Sequence, residues 1–329
     1  MAAPVLLPTA PNPDRGWTSF KARYVLPDGR VADTGNGHIS HSEGQSYGML
    51  LAERHDDRAA FEAILAWTER TLRLPGNPLL AWRYDPRVSA VTDPNNATDG
   101  DLVFAWALLR GAARWRVPEW QERARLTAFA IRSQCVRRGP AGPILLPGRI
   151  GFDNGPSPVT NPSYYVFPAL RALERAFPGQ GWAELAVSGH RLLTAGFGPW
   201  SLPADWIELR PGGPTPWTPR PARFGFDAVR VPLNLLWVGH MDGAVAQAAR
   251  FWASPRHPYR PAWTDLASGG ISPYPASAGV EAVARLAIAA AAGRPGAANL
   301  PCASTATDYY AAALALKARM AQEELAVIA

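Results

Sequence analysis

Cysteine is almost missing from this chain. The two present, Cys135 and Cys302, lie far apart and outside any Cys-x-x-Cys pair. That excludes a disulfide framework and a thiolate metal site, and leaves either one long-range bridge or two unrelated thiols. The six histidines show no His-Glu-x-x-His or comparable ligand spacing, and no Gly-rich phosphate cradle appears, so neither a metal nor another cofactor is expected. No apolar run approaches the roughly 20 residues that span a bilayer, and no membrane insertion is expected. Charge is sparse at 18% of residues, and the 33 Lys and Arg that outweigh 27 Asp and Glu are scattered. Without a basic stripe, the net charge of +6 does not imply a nucleic-acid partner. The run Met1 to Pro8 has no charged start and is too short to read as a signal peptide.

Apolar residues make up 47% of the chain, enough for a large core. Proline, at 33, implies many fixed loops, and the 13 tryptophans exceed what a core needs, so some are expected to serve as stacking platforms. No low-complexity linker divides the sequence. A single domain over 1–329 is expected, with residues 1–14 as an extended, Pro-rich arm.

Helical periodicity dominates, and helices come in pairs. Trp17, Phe20 and Tyr24 mark a first helix over residues 14 to 24. One pair runs from 42 to about 55 and then through Phe61, Ile64, Leu65, Thr68 and Leu72. A second starts near Thr98 and again at Pro118, the first-turn position that proline tolerates. A third covers 162–177 and 182–195, and a fourth 226–240 and 241–252. Helices over 277–292 and 304–327 complete the series. Residues 199–221 read as a long loop with a short extended piece at 206–209, and strand signal is otherwise slight. About eleven helices in hairpins form either an open solenoid or a closed ring. Acidic residues concentrated at helix starts favour a ring whose inner helices point one way.

Those acids carry the chemistry. Ser42 with Gln45 three residues on reads as a capping box, with Glu43 in the first helical turn near the positive end of the dipole. Thr98 with Asp101 repeats the pattern and leaves Asp99 free of the cap. Asp227 precedes Arg230 by one helical turn, as an ion pair would. Each has a purely structural alternative: a helix-start carboxylate, a cap, a salt bridge. Together with loop aromatics (Trp82, Tyr84, Trp200, Trp206, Trp217) they suit glycosidic bond hydrolysis, in which one carboxyl donates a proton and another, ionised, activates water or attacks.

The segment 42–49, Ser-Glu-Gly-Gln-Ser-Tyr-Gly-Met, resembles the proton-donor segment of family 8 glycoside hydrolases. Ala97-Thr98-Asp99-Gly100-Asp101, with Ala105, Leu108 and Trp115 following, resembles that family's signature. Asn161-Pro162-Ser163-Tyr164 and the stretch 226–232, Phe-Asp-Ala-Val-Arg-Val-Pro, resemble two more of its segments, in family order. Phe104 stands where the signature usually has Ile or Met, and Gly111 where it usually has Ala. Within the family, the region around Ala204-Asp205-Trp206 is similar to endoglucanases encoded beside bacterial cellulose synthases.

The resemblance implies an all-α (α/α)6 barrel and an inverting endo-β-1,4-glucanase. Glu43 would be the general acid, Asp227 the general base, and Asp99 the residue that holds and distorts the central sugar. Tyr164 would help position water, and Arg230 would support Asp227. Gln45, Tyr47, Trp82, Tyr84, Asp205 and Trp206 would contact substrate, and Gly44 and Gly48 would keep the cleft floor low. The implied partner is a β-glucan, with a functional link to a cellulose synthase complex. The implied location is periplasmic or secreted, any leader preceding these residues. Xylan, chitosan or mixed-linkage glucan as substrate, a glucan-binding protein without turnover, and a helical scaffold for protein partners remain alternatives.

Overall fold

Eleven α-helices form among the described residues, which are 13–193, 195–241 and 243–328 of a computed structural model. Helix α1 (Pro13–Tyr24) opens them, so the proposed arm is helical at residues 13 and 14, and its residues 1–12 lie outside the described residues. Then come α2 (Ser42–Arg54) with α3 (Arg58–Thr71), α4 (Thr98–Trp115) with α5 (Pro118–Gln134), and α6 (Phe167–Ala176) with α7 (Trp182–Leu192). The last are α8 (Arg230–Leu236), α9 (Gly243–Trp252), α10 (Ala278–Ala291) and α11 (Tyr309–Ile328).

The packing closes on itself. Helix α2 packs on α4, α4 on α6, α6 on α8, α8 on α10, α10 on α11, and α11 returns to α2. Behind four of these inner helices lie α3, α5, α7 and α9. Between α10 and α11 the outer place is taken by two 3-10 turns, Pro295–Ala297 and Ala303–Thr305, and α1 takes the place outside α11. The ring is an (α/α)6 barrel, not a solenoid. Inner helices have neighbours on nearly every side, which is why α2 is buried from Gly44 to Glu53 and α11 from Ala311 to Ala318.

Small residues set how closely the helices approach. A Cβ on Gly111 would lie 2.8 Å from Phe61 Cζ and 3.2 Å from Trp120, so the missing methyl group is replaced by two aromatic rings. At Gly48 a Cβ would meet Val31 Cγ2 at 2.9 Å and Ile64 at 3.1 Å. That glycine admits the loop before α2 and forms no part of a cleft floor.

Strands are more numerous than the sequence pattern predicts. Val136–Gly139 pairs with Gly142–Leu145, and Ile207–Arg210 lies between Val159–Thr160 and Gly213–Pro216. Ser40–His41 pairs with Arg83–Asp85, which pairs with Ala90–Asp93. At two to four residues each, these are too short to show a period of two. They tie the loops over one end of the ring. Cys135 is buried, Cys302 is half-buried, and both are free thiols. No helix among the described residues is long and apolar enough to cross a membrane.

Candidate active site

The helix starts of the inner ring meet at one end, and Arg230 joins them. As the first residue of α8, it sends Nη1 to Glu43 Oε1 in the first turn of α2 and to Asp99 Oδ2 in the first turn of α4, the latter at 3.1 Å. Its Nη2 donates to Asp227 Oδ1 at 2.6 Å and to Ser163 Oγ at 3.0 Å. One guanidinium therefore binds all three acids singled out from the sequence. The expected pairing with Asp227 is present, as one of three carboxylate contacts that Arg230 makes.

The close approach of α2 and α4 depends on Gly100. A Cβ there would lie 2.4 Å from Ser42 Oγ and 2.8 Å from the Glu43 nitrogen. Ser46 Oγ fastens the crossing by donating to the carbonyls of Ser42 at 2.7 Å and Gly100 at 2.9 Å. Glu43 and Asp99 thus face each other because two helix starts touch through a glycine.

Helix α2 is not closed by the expected box. Its cap is His41, whose Nδ1 accepts the N–H of Gly44 at 2.9 Å. Ser42 lies inside the first turn, and its Oγ is buried without a hydrogen-bond partner. Gln45 is fully buried, accepting from the Val31 N–H at 2.5 Å and donating to Thr68 Oγ1 at 3.0 Å, so it holds the preceding loop and does not reach the cleft. Nor do Thr98 and Asp101 cap α4. Thr98 donates to the Leu146 carbonyl at 2.7 Å, while Asp101 accepts from the Leu80 N–H at 2.9 Å and from Asn96 at 2.8 Å. Both are buried and used to bind loops to the helix, because an apolar surround makes a satisfied hydrogen bond worth more than a solvated cap.

Burial shapes the electrostatics. Asp99 is raised to about 7, first by loss of solvent and then by the nearby charge of Asp227. Asp227 is raised as well, by burial and by Asp205, while the indole N–H of Trp206, 3.0 Å from Oδ2, works the other way. Its side chain is 29% exposed against 17% for Glu43 and 3% for Asp99, so water reaches Asp227 most readily. Tyr47 donates to Glu43 Oε1 at 2.8 Å, and burial holds its hydroxyl well above the usual phenol range, hence neutral.

Other predicted contacts separate into two groups. Trp206 stacks on Phe152 at 5.8 Å and 20°, with Tyr164 and Trp217 at 6.0 and 5.9 Å, making an aromatic ledge next to Asp227. Trp82 is half-buried beside the start of α2, where its carbonyl accepts the Ser42 N–H at 3.1 Å. Against these, Tyr84 turns its ring edge-on to Trp67 at 5.3 Å and packs on the core. Trp200 packs against Phe251 and His257. Asp205 Oδ1 accepts three backbone N–H groups, from Gly225, Asp227 and Ala228, and so anchors the turn that carries Asp227.

Sequence reasoning assigned no role to Ser163, Tyr310 or Lys317. Tyr310 donates to the Phe226 carbonyl at 2.5 Å, and Lys317 lies buried with Nζ 3.6 Å from the centre of the Tyr47 ring. A cation directly after the run of Ala and Leu from 311 to 316, within one helical period of apolar residues, was the available signal for Lys317.

A helical ring with three carboxylates and an aromatic ledge at one mouth has the equipment of a glycoside hydrolase. The sequence pattern of glycosyl hydrolases family 8 matches residues 5–324, and the chain belongs to that family. It is 38% identical to the "probable endoglucanase" of Novacetimonas hansenii, over 95% of this chain and 93% of the relative. The solved structure of the endo-β-1,4-glucanase CMCax from Acetobacter xylinum superposes with a TM-score of 0.88 at 36% identity, covering 96% of this chain and 100% of that one. Endoglucanase Cel10 of Klebsiella pneumoniae, also a family 8 glycosyl hydrolase, gives 0.87 at 35%, over 94% and 99%.

Proposed function

We propose that this protein is an endo-β-1,4-glucanase that hydrolyses cellulose-like chains with inversion, and that residues 1–329 act as one catalytic domain. The observation that carries the reading is the convergence of Glu43, Asp99 and Asp227 on Arg230 at the mouth of the ring. Glu43 is the general acid. Arg230 and Tyr47 both donate to its Oε1, which leaves Oε2 to hold the proton that passes to the glycosidic oxygen as the C1–O bond breaks. Asp227 is the base, taking a proton from the water that attacks C1 from the opposite face. Its two oxygens are fixed by Arg230 and Trp206.

Asp99 holds the central sugar, and Tyr164 helps place the water. Trp206, with Phe152 and Trp217, offers the stacking surface for glucosyl rings, and Trp82 a second one near α2. Tyr47 acts on Glu43 and Asp205 on Asp227, neither by direct sugar contact. A polymeric glucan substrate supports a periplasmic or secreted place of work, and the resemblance to endoglucanases encoded beside cellulose synthases supports a role next to such a complex.

The test is reducing-end release from carboxymethylcellulose by the parent and by Glu43→Gln, with the anomer of the first product followed by NMR. Loss of at least about a hundredfold in kcat and release of the α-anomer are expected. Equal activity in the two proteins, or retention of the β-anomer, refutes the assignment.

A further inference from the structure

The start of α2 has a cap of an uncommon kind. Ser, Thr, Asp and Asn are the usual cap residues, but here His41, with an extended backbone at φ −137° and ψ 156°, accepts the Gly44 N–H through Nδ1. A ring nitrogen that accepts carries no proton, so the proton of the neutral imidazole sits on Nε2. That nitrogen faces Asp33 Oδ2 at 3.4 Å. Asp33 is itself held, its Oδ1 accepting the Gly35 N–H at 3.1 Å and its own N–H donating to Ile39 at 2.8 Å. The Tyr309 ring meets the imidazole edge-on at 5.6 Å. Gly44 leaves the room this requires, since a Cβ there would lie 3.2 Å from His41 Cε1 and 3.1 Å from the Tyr309 hydroxyl.

We propose that His41 is a positioning residue for the proton donor: a neutral imidazole, its tautomer set by Asp33, holds the first turn of α2 and with it the carboxyl group of Glu43. The inference rests on Glu43 being the general acid. Protonating the ring places a second N–H on Nδ1, directly opposed to the Gly44 N–H, and opens the cap. Asp33 from the preceding loop, the cross-strand partner Arg83 and Tyr309 at the start of α11 are placed against this ring, and Glu43 follows two residues on in α2 itself. Activity therefore carries an inflection from an imidazole in addition to those of the carboxyl groups.

The experiment measures kcat and KM of the full chain on a soluble cello-oligosaccharide from about pH 5 to 8, the range of imidazole titration, for the parent, His41→Ala, His41→Asn and Asp33→Asn. For His41→Ala, kcat falls roughly ten- to a hundredfold while KM changes by less than about twofold, as for a displaced catalytic group. His41→Asn, whose amide oxygen is a strong cap, regains most of kcat and loses the imidazole inflection. Asp33→Asn, which removes the charge facing Nε2, lowers kcat by less than His41→Ala does and leaves KM within about twofold. Parental kcat and pH profile in His41→Ala overturn the proposal. If that variant fails to fold, an unchanged inflection in His41→Asn overturns it instead. Glu43→Gln separates the two readings: if it is inactive while His41→Ala is normal, only the role of His41 falls.

Discussion

Replacing Asp205 by Asn tests how the general base is tuned. Three N–H groups converge on Asp205 Oδ1 at 3.0, 3.1 and 2.7 Å, and one of them belongs to Asp227. The amide keeps an acceptor oxygen for these bonds and removes the charge. Burial raises both carboxyl groups, and Asp205 adds to the rise at Asp227. For charges about 6 Å apart at an effective dielectric of about 20, the repulsion is about 3 kcal/mol, equivalent to about two pH units. Asp205 is raised to about 6 and Asp227 to about 7, so Asp205 is largely ionised where Asp227 titrates, and with the Asp227 side chain 29% exposed, solvent screening leaves an expected change of about one pH unit. Losing a negative neighbour makes Asp227 easier to ionise, so the base is ready at lower pH. The acidic limb of kcat/KM moves down by that amount.

The assay is the initial rate of reducing-end release from a soluble cello-oligosaccharide, well below KM, from about pH 4 to 9 to span the carboxyl and imidazole ranges. Stability follows the same sign. A carboxyl raised in the folded state disfavours folding progressively as pH climbs from its unfolded value through its folded one. Asp205→Asn should accordingly lose less stability across that window than the parent. An acidic limb that stays in place or moves up, in a variant that melts normally, refutes the electrostatic reasoning.

Gly100→Ala should force the starts of α2 and α4 apart, costing about 1–3 kcal/mol in urea unfolding and lowering kcat by more than about tenfold; parental kcat would contradict the close-contact account. Trp206→Phe keeps the ring and removes the N–H donor to Asp227, so the acidic limb should move up, opposite to Asp205→Asn, and kcat/KM should fall by about tenfold or more. Lys317 is held well below the usual amine value, chiefly by burial. The folded state therefore disfavours its charged form, and the penalty grows as pH falls from the unfolded value toward the folded one. Lys317→Met should be more stable than the parent at neutral pH, with the gap narrowing by about pH 10, as read by chemical denaturation.

Much of the site was legible because its chemistry is local. Glu43, Asp99 and Asp227 each stand at a helix start with small or polar neighbours, and helix starts can be read from single residues such as Pro118 or Ser277, which caps α10 through the Val280 N–H. The hairpin pairs were legible for the same reason. What escaped is the use made of side chains across the ring. Gln45 and Asp101 look like cap partners in sequence, yet each bonds to a loop 14 to 21 residues away, because the ring buries the positions where a cap would face water. Likewise Arg230 lies three residues from Asp227 but 187 from Glu43 and 131 from Asp99. No spacing reveals a bond between helices that only ring closure brings together.

That closure has a consequence for how the protein is made. Glu43 stands on the second helix, while Tyr309 and Lys317, which lie against Gly44 and Tyr47 beside it, stand on the eleventh. A chain emerging from the ribosome carries an open, apolar edge on α2 until α11 arrives to cover it. Contacts of such long sequence separation form slowly, and an uncovered edge invites association with other chains. The last helix thus finishes both the wall and the catalytic mouth, and an unfinished chain should be found with chaperones and not with glucan.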